Sequence, residues 1–201
     1  PGTLPSEILI IADGFANPVY IAADLLSQAE HDELASSVFI TNSIRLAESV
    51  KHELEIQLEN LKRKKIAEKS LNAYGGIIIA KNMKNAVEIA NTIAPEHLEI
   101  MTKDPVSLLP MVRNAGAIFL GEWTPEAIGD YAAGPNHTLP TGGTARFSSP
   151  LGVYDFMKRS SLLGFTKSGF RKLAKTVKII ADAEGLEAHG NTIKVREEEN
   201  A

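Results

Sequence analysis

Short apolar runs alternate with amphipathic stretches from residue 6 to residue 120, and this alternation constrains the fold more than any other feature of the chain. "SEILIIAD" (6–13), "SSVFITN" (36–42), "GGIIIA" (75–80), "EHLEIM" (96–101) and "GAIFL" (116–120) read as strands. Between them, 17–31, 43–61, 65–72 and 82–94 carry helical spacing, with Asn17 as N-cap and Pro18 at the first helical position. Strands alternating with helices require crossover connections, hence a parallel sheet covered on both faces.

The rhythm stops at Gly121. A Gly- and Pro-rich loop runs to about Pro150 and carries a single histidine, His137. Long loops without charge or repetition inside a compact chain are usually functional. A helix near 151–158, a short strand near 161–165 and a helix near 168–182 are expected next, then a polar tail with a frayed end. The domain reading is therefore an α/β body over 1–121 and, over 122–201, a loop region with a small, mostly helical C-terminal part. In open α/β sheets ligands gather outside the C-terminal ends of the strands, so the site is expected there.

Composition narrows the chemistry. The chain has no cysteine, which removes thiolate nucleophiles and thiolate metal sites and fits a cytoplasmic location. Its net charge of −4 gives no footprint for nucleic acid. The basic run "LKRKK" (61–65) reads as the solvated end of a helix. No segment approaches the ~18 apolar residues of a membrane span.

The remaining chemistry-bearing residues are few. Gln28 and His31 sit three apart on one predicted helix and share a face, so they could converge on one ion; a histidine simply stabilised by the helix C-terminus is the plainer reading. Glu96 and His97 follow a proline and could supply a water-activating carboxylate and a general base, provided that the strand starts irregularly; a surface ion pair is the plainer reading. Asp130 could be a helix cap or a turn residue, and His137 a turn-stabilising group. His189 lies in a polar segment, and His52 in a charged helix. Together, glutamine, histidines and carboxylates suffice for a nitrogen- and oxygen-ligated zinc site of catalytic type. No GxGxxG or Walker pattern occurs.

The blocks "PSEILIIAD", "NPVYIAADLLSQAEHD", "APEHLEI", "GDYAAGPNHTLPTGGTARFSSPLGVYDFMKRSS" and "EGLEAHGNTIKVR" resemble, in this order, the motifs of histidinol dehydrogenase. The resemblance runs from Ser6 to Arg196 and matches only the C-terminal half of that family's chain. It implies a Rossmann-like α/β fold and the NAD-dependent oxidation of L-histidinol to L-histidine through the aldehyde, in histidine biosynthesis. It also implies one zinc per subunit and a homodimer whose site is shared between subunits. On this resemblance Gln28, His31 and Asp130 are zinc ligands, and His189 of the partner subunit is the fourth. Ser6, His137 and Glu184 contact substrate, as do the zinc ligands and His97. Glu96 activates water and His97 is the general base.

Two departures stand out. Leu4 replaces the family's usual Gly before "PSE", which is expected to alter the turn presenting Ser6. The family's main NAD contacts map upstream of Pro1, so no NAD-binding residue is assigned. The 201-residue chain alone is expected not to turn over. A truncated relative that binds zinc or an imidazole amine without redox turnover is the alternative.

Overall fold

The computed structural model describes residues 6–198, and Leu4 therefore lies outside the described residues. These residues form two compact units, divided between Phe156 and Met157.

The first unit is built on five parallel strands in the order β3-β2-β1-β4-β5: β1 (Glu7–Ala12), β2 (Ser36–Thr41), β3 (Gly75–Ile79), β4 (His97–Met101) and β5 (Ala117–Leu120). Alternate side chains of a strand leave opposite faces, and both faces of β1 are apolar. Ile8, Ile10 and Ala12 pack with Ile21 and Leu25 of α1 (Pro18–Ala29) and Leu46 and Val50 of α2 (Ile44–Glu59). Leu9 and Ile11 face Val87 and Ala90 of α4 (Met83–Ile93) on the other side. A further helix, α3 (Lys64–Tyr74), packs Ala67 against Leu26 and Ala29. The Rossmann-like sheet with helices on both faces is thus the observed architecture.

Local chemistry sets the helix ends. The Asn17 side chain accepts the Val19 N–H, and Pro18 opens α1 where no N–H donor is needed. At the far end of α4, Ala94 adopts φ 57, a left-handed cap unusual for a residue with a Cβ. Pro95 follows and cannot continue the helix, so the chain enters β4 through Glu96.

The break at Gly121 falls inside the first unit. The sequence after it holds a short helix, α5 (Glu126–Tyr131), missed within an apparent loop because it spans under two turns. The Gly-Pro loop is tied to the body by specific bonds. Gly142 N–H donates to Glu7 Oε1 at 3.0 Å, and the Arg146 guanidinium donates to the carbonyls of Gly143, Thr92 and Ile93 at the end of α4. The Thr92 and Ile93 carbonyls are among the unsatisfied acceptors of a helix C-terminus, where a cation is favoured.

The helix expected near 151–158 is only a 3-10 turn, Val153–Phe156. The strand expected at 161–165 does not form among the described residues, as its apolar residues have no neighbouring strand to pair with. In the second unit, α6 (Lys167–Ala183) and α7 (Glu187–Glu198) form a helical hairpin closed by Gly185 at φ 70 and packed through Ala174, Ala181 and Ile193. The tail read as polar and frayed is α7, helical to Glu198, its polar sequence concealing one buried stripe. No helix of the described residues is long and apolar enough to cross a membrane.

Ile10 is fully buried at the centre of the sheet. Ile10→Ala should lower the unfolding free energy by about 2–5 kcal/mol, read from urea midpoints at unchanged slope. A loss of a few tenths would show that this face is not the core.

Candidate active site

Pairing of β1 with β4 brings two chain segments together at the N-terminal edge of the sheet. Ile8 lies opposite His97, so Ser6 and Glu7 meet Glu96 and His97. Ser6 Oγ–H donates to Glu96 Oε2 at 2.7 Å, and Glu7 N–H donates to the same oxygen at 2.9 Å. His97 Nδ1 lies 3.0 Å from the Glu7 carbonyl. A carbonyl only accepts, so Nδ1 carries the proton and Nε2 presents its lone pair. That Nε2 is buried without a hydrogen-bond partner among the described residues. It points toward Asp130, whose Oδ1 is 3.9 Å away. Glu96 lies just outside β4, and this irregular start lets adjacent residues serve one site.

The site therefore occupies the N-terminal edge of the strands, not the C-terminal edge that the general rule for α/β sheets suggests. The helices explain the difference. α1 and α5 leave the C-terminal ends of β1 and β5 and run back antiparallel, which returns their last turns, with Gln28 and Asp130, to the opposite edge. A cavity of about 380 Å³ does exist at the C-terminal edge, beside Phe15, Lys103 and Trp123. The cluster of histidine and carboxyl groups lies at the other end.

That cluster is dense. His97, Glu126 and Asp130 each place a ligand atom within 4.8 Å of the others. His137 Nδ1 lies 3.7 Å from Asp130 Oδ2, so the Gly-Pro loop delivers its histidine to the same carboxylate. A second cavity, of about 410 Å³, opens beside Asp130 and His137 and is walled by Phe119, Leu139, Leu151 and Tyr154. Its size suits a small molecule. Gly129 keeps α5 close to the sheet, since a Cβ there would lie 2.5 Å from the Phe119 ring.

Gln28 is fully buried in the last turn of α1, and both atoms of its amide lack a partner among the described residues. An unpaired buried amide is costly, and a bound ion would relieve it. His31 follows the helix, exposed, with its carbonyl accepting from Arg63. Oxygen and nitrogen donors with unmet capacity fit a borderline cation such as zinc. Glu184 caps α6 and His189 lies in the first turn of α7, both in the second unit.

Sequence reasoning missed four carboxyls. Asp24 of α1 is near enough to Glu99 of β4 for the two charges to act on each other, and Glu99 Oε1 accepts the Glu126 N–H at 2.8 Å. Glu126 in turn places a carboxyl oxygen within 4.8 Å of an Asp130 oxygen. Glu7 supports the Gly142 loop. The signal was present: Glu99 shares a strand face with His97, and Asp24 precedes Gln28, as Glu126 precedes Asp130, by one helical turn. Burial pushes Glu99 well above the carboxylate range, with the Asp24 charge adding to it. Burial raises Asp24 to about 6. Burial and the neighbouring Asp130 carboxyl raise Glu126 to about 8.

The fold and these groups define a class: an α/β protein with a buried histidine–carboxylate centre able to hold a cation and move protons. The sequence profile of histidinol dehydrogenase matches residues 3–197. The chain is 58% identical over 192 residues to the histidinol dehydrogenase of Aquifex aeolicus, covering 96% of this chain and 45% of that protein. It is 56% identical to that of Bacillus subtilis, with 96% and 45% covered. The crystal structure of histidinol dehydrogenase from Elizabethkingia anophelis superposes with a TM-score of 0.87 at 37% identity, covering all of this chain and 46% of that one. The chain belongs to the histidinol dehydrogenase family, and it spans about half the length of the relatives it matches.

The raised carboxyls make stability depend on pH. The folded state binds protons that the unfolded state has already released, a contribution fully present below about 4.5 and lost as pH climbs through about 8 for Glu126. The melting temperature of metal-free protein should fall across this window, and Glu126→Gln should flatten the fall. Parallel profiles for both proteins would show that Glu126 is not held protonated.

Proposed function

We propose that this chain supplies the zinc and substrate half of an NAD-dependent enzyme that oxidises L-histidinol to L-histidine through the aldehyde. The observation that carries this reading is the meeting of Ser6, Glu96, His97, Asp130 and His137 around one buried edge of the sheet beside a cavity of about 410 Å³. The family match supplies the substrate.

In this reading Gln28, His31 and Asp130 hold the metal together with His189 of the partner subunit, in a homodimer. Held by these residues, zinc would serve as a template for the imidazole and amine of the substrate, so that the carbinol is oriented. His97 accepts the hydroxyl proton at Nε2, with Nδ1–H anchored on the Glu7 carbonyl. Glu96, oriented by Ser6 Oγ–H and Glu7 N–H, draws a proton from the water that attacks the aldehyde. His137 and Glu184 contact the substrate. Two NAD would be needed, one to accept the hydride released in each oxidation. The turn from Asp13 to Asn17 lacks the spaced glycines that let a pyrophosphate approach, and no residue of this chain is assigned to NAD.

The ligand set is tested in the native gene product that carries these residues. His31→Ala should lose most of its zinc, whereas Glu126→Gln should retain it. The reverse pattern would move the metal to His97, Glu126 and Asp130 and refute the proposed set.

The division of proton work is tested separately. Glu96→Gln should slow aldehyde oxidation by about 10²–10⁴-fold and alcohol oxidation far less. Equal losses in the two half-reactions, measured with each substrate in turn, would assign Glu96 a shared structural role.

A further inference from the structure

We infer that the Glu7 carboxyl and the Arg146 guanidinium form a two-point latch that fixes the base of the Gly-Pro loop, and that both are positioning residues for His137. The inference rests on the proposed function, in which His137 contacts the substrate, and concerns side chains to which that reading gives no part.

Glu7 divides between two tasks. Its main chain serves the site, the N–H donating to Glu96 and the carbonyl facing His97 Nδ1. Alternation along β1 sends its side chain to the other face of the sheet, with Leu9 and Ile11, toward α4. There Oε1 accepts the Gly142 N–H at 3.0 Å. Arg146 makes the second tie, donating to the Thr92 and Ile93 carbonyls at the end of α4 and to the Gly143 carbonyl within the loop. α4 runs through Pro95 into Glu96, so both ties end on segments that border the acid of the site. The turn between the ties suits them. Gly142 and Gly143 hold φ 60 and 76, and a Cβ on Gly143 would clash with the Arg146 guanidinium. Pro140, Thr141, Gly143 and Ala145 are buried, whereas the arm from Tyr131 to Thr138 is exposed. That arm brings His137 Nδ1 to 3.7 Å from Asp130 Oδ2. An exposed arm takes its direction from where its base is held. The loop therefore straddles the sheet edge, fastened on the face of α4 and presenting His137 on the face that His97 takes.

The test uses the native gene product with two readouts, hydrogen exchange of its peptides and steady-state kinetics with L-histidinol. Glu7→Ala removes the acceptor for Gly142 and keeps the main-chain contacts to Glu96 and His97, whereas Glu7→Gln retains an oxygen that can accept. Glu7→Ala should speed exchange in peptides over 141–148 while those over β1 and β4 keep wild-type protection. Its KM for L-histidinol should rise about tenfold, the order of one charge-assisted hydrogen bond lost, with kcat changing far less. Glu7→Gln should stay close to wild type in both readouts. Arg146→Ala should reproduce the loop-confined exchange and the rise in KM, and it serves as the readout if Glu7→Ala fails to fold. A loss in Glu7→Gln as large as in Glu7→Ala would overturn the latch, since charge beside Glu96 and not the bond to Gly142 would then matter. A fall in kcat at unchanged KM would overturn it too. Wild-type protein that does not oxidise L-histidinol would overturn the proposed function and the latch's part in it. Turnover and loop exchange that are normal in wild type and indifferent to these substitutions would overturn the latch alone.

Discussion

The parallel pairing of β1 with β4 is the constraint on which the rest of the site depends. Its register sets Ile8 against His97. Just upstream, Ser6 and Glu7 both donate to Glu96, and the Glu7 carbonyl fixes the tautomer of His97. A slip by one residue would turn His97 and Glu99 to the face occupied by α4, among apolar side chains, and would send Leu98 and Ile100 toward α1. Burial of Leu98 and Ile100 on the α4 face therefore specifies the orientation of the polar residues on the other. The hydrophobic core and the site are not separate achievements of the sequence, because one alternation decides both.

Much of the body was legible because its signals are local. Ile-rich runs, the Asn17–Pro18 start of α1 and the helical spacing over 82–94 each act within one element. What was misread depends on contacts between distant elements. α5 is too short to show periodicity, and it exists because Glu99 anchors its first turn and Phe119 receives Gly129. The run 161–165 has strand-like residues but no neighbour to pair with. The edge on which the site lies was also misjudged, since the general rule counts strand ends and neglects that a returning helix carries its last turn back.

Within the site, the motif residues were readable as a set only through the family resemblance, as each alone has a plainer explanation. The supporting carboxyls were not read at all. Asp24, Glu99 and Glu126 look like ordinary acids in sequence, and their role arises from burial beside one another. An acid flanked by apolar residues, as in "HLEIM", is the trace that such burial leaves.

Packing Asp24, Glu99, Glu126 and Asp130 together is expensive for a protein without a counter-charge, because each buried carboxylate raises the cost of the next. The cost shows in Asp24, Glu99 and Glu126, which burial holds above the ordinary carboxylate range, with neighbouring carboxyls adding to it at Glu99 and Glu126. The buried acids differ in what they face. Glu99 Oε1 accepts the Glu126 N–H and so braces the start of α5. Glu126–Asp130 reaches the centre itself, within ligand distance of His97. A divalent cation beside Glu126 would oppose proton retention there, since ligands bind metal in their deprotonated form. A single acidic cluster thus divides into a part that faces His97 and a part that anchors the helix beside it.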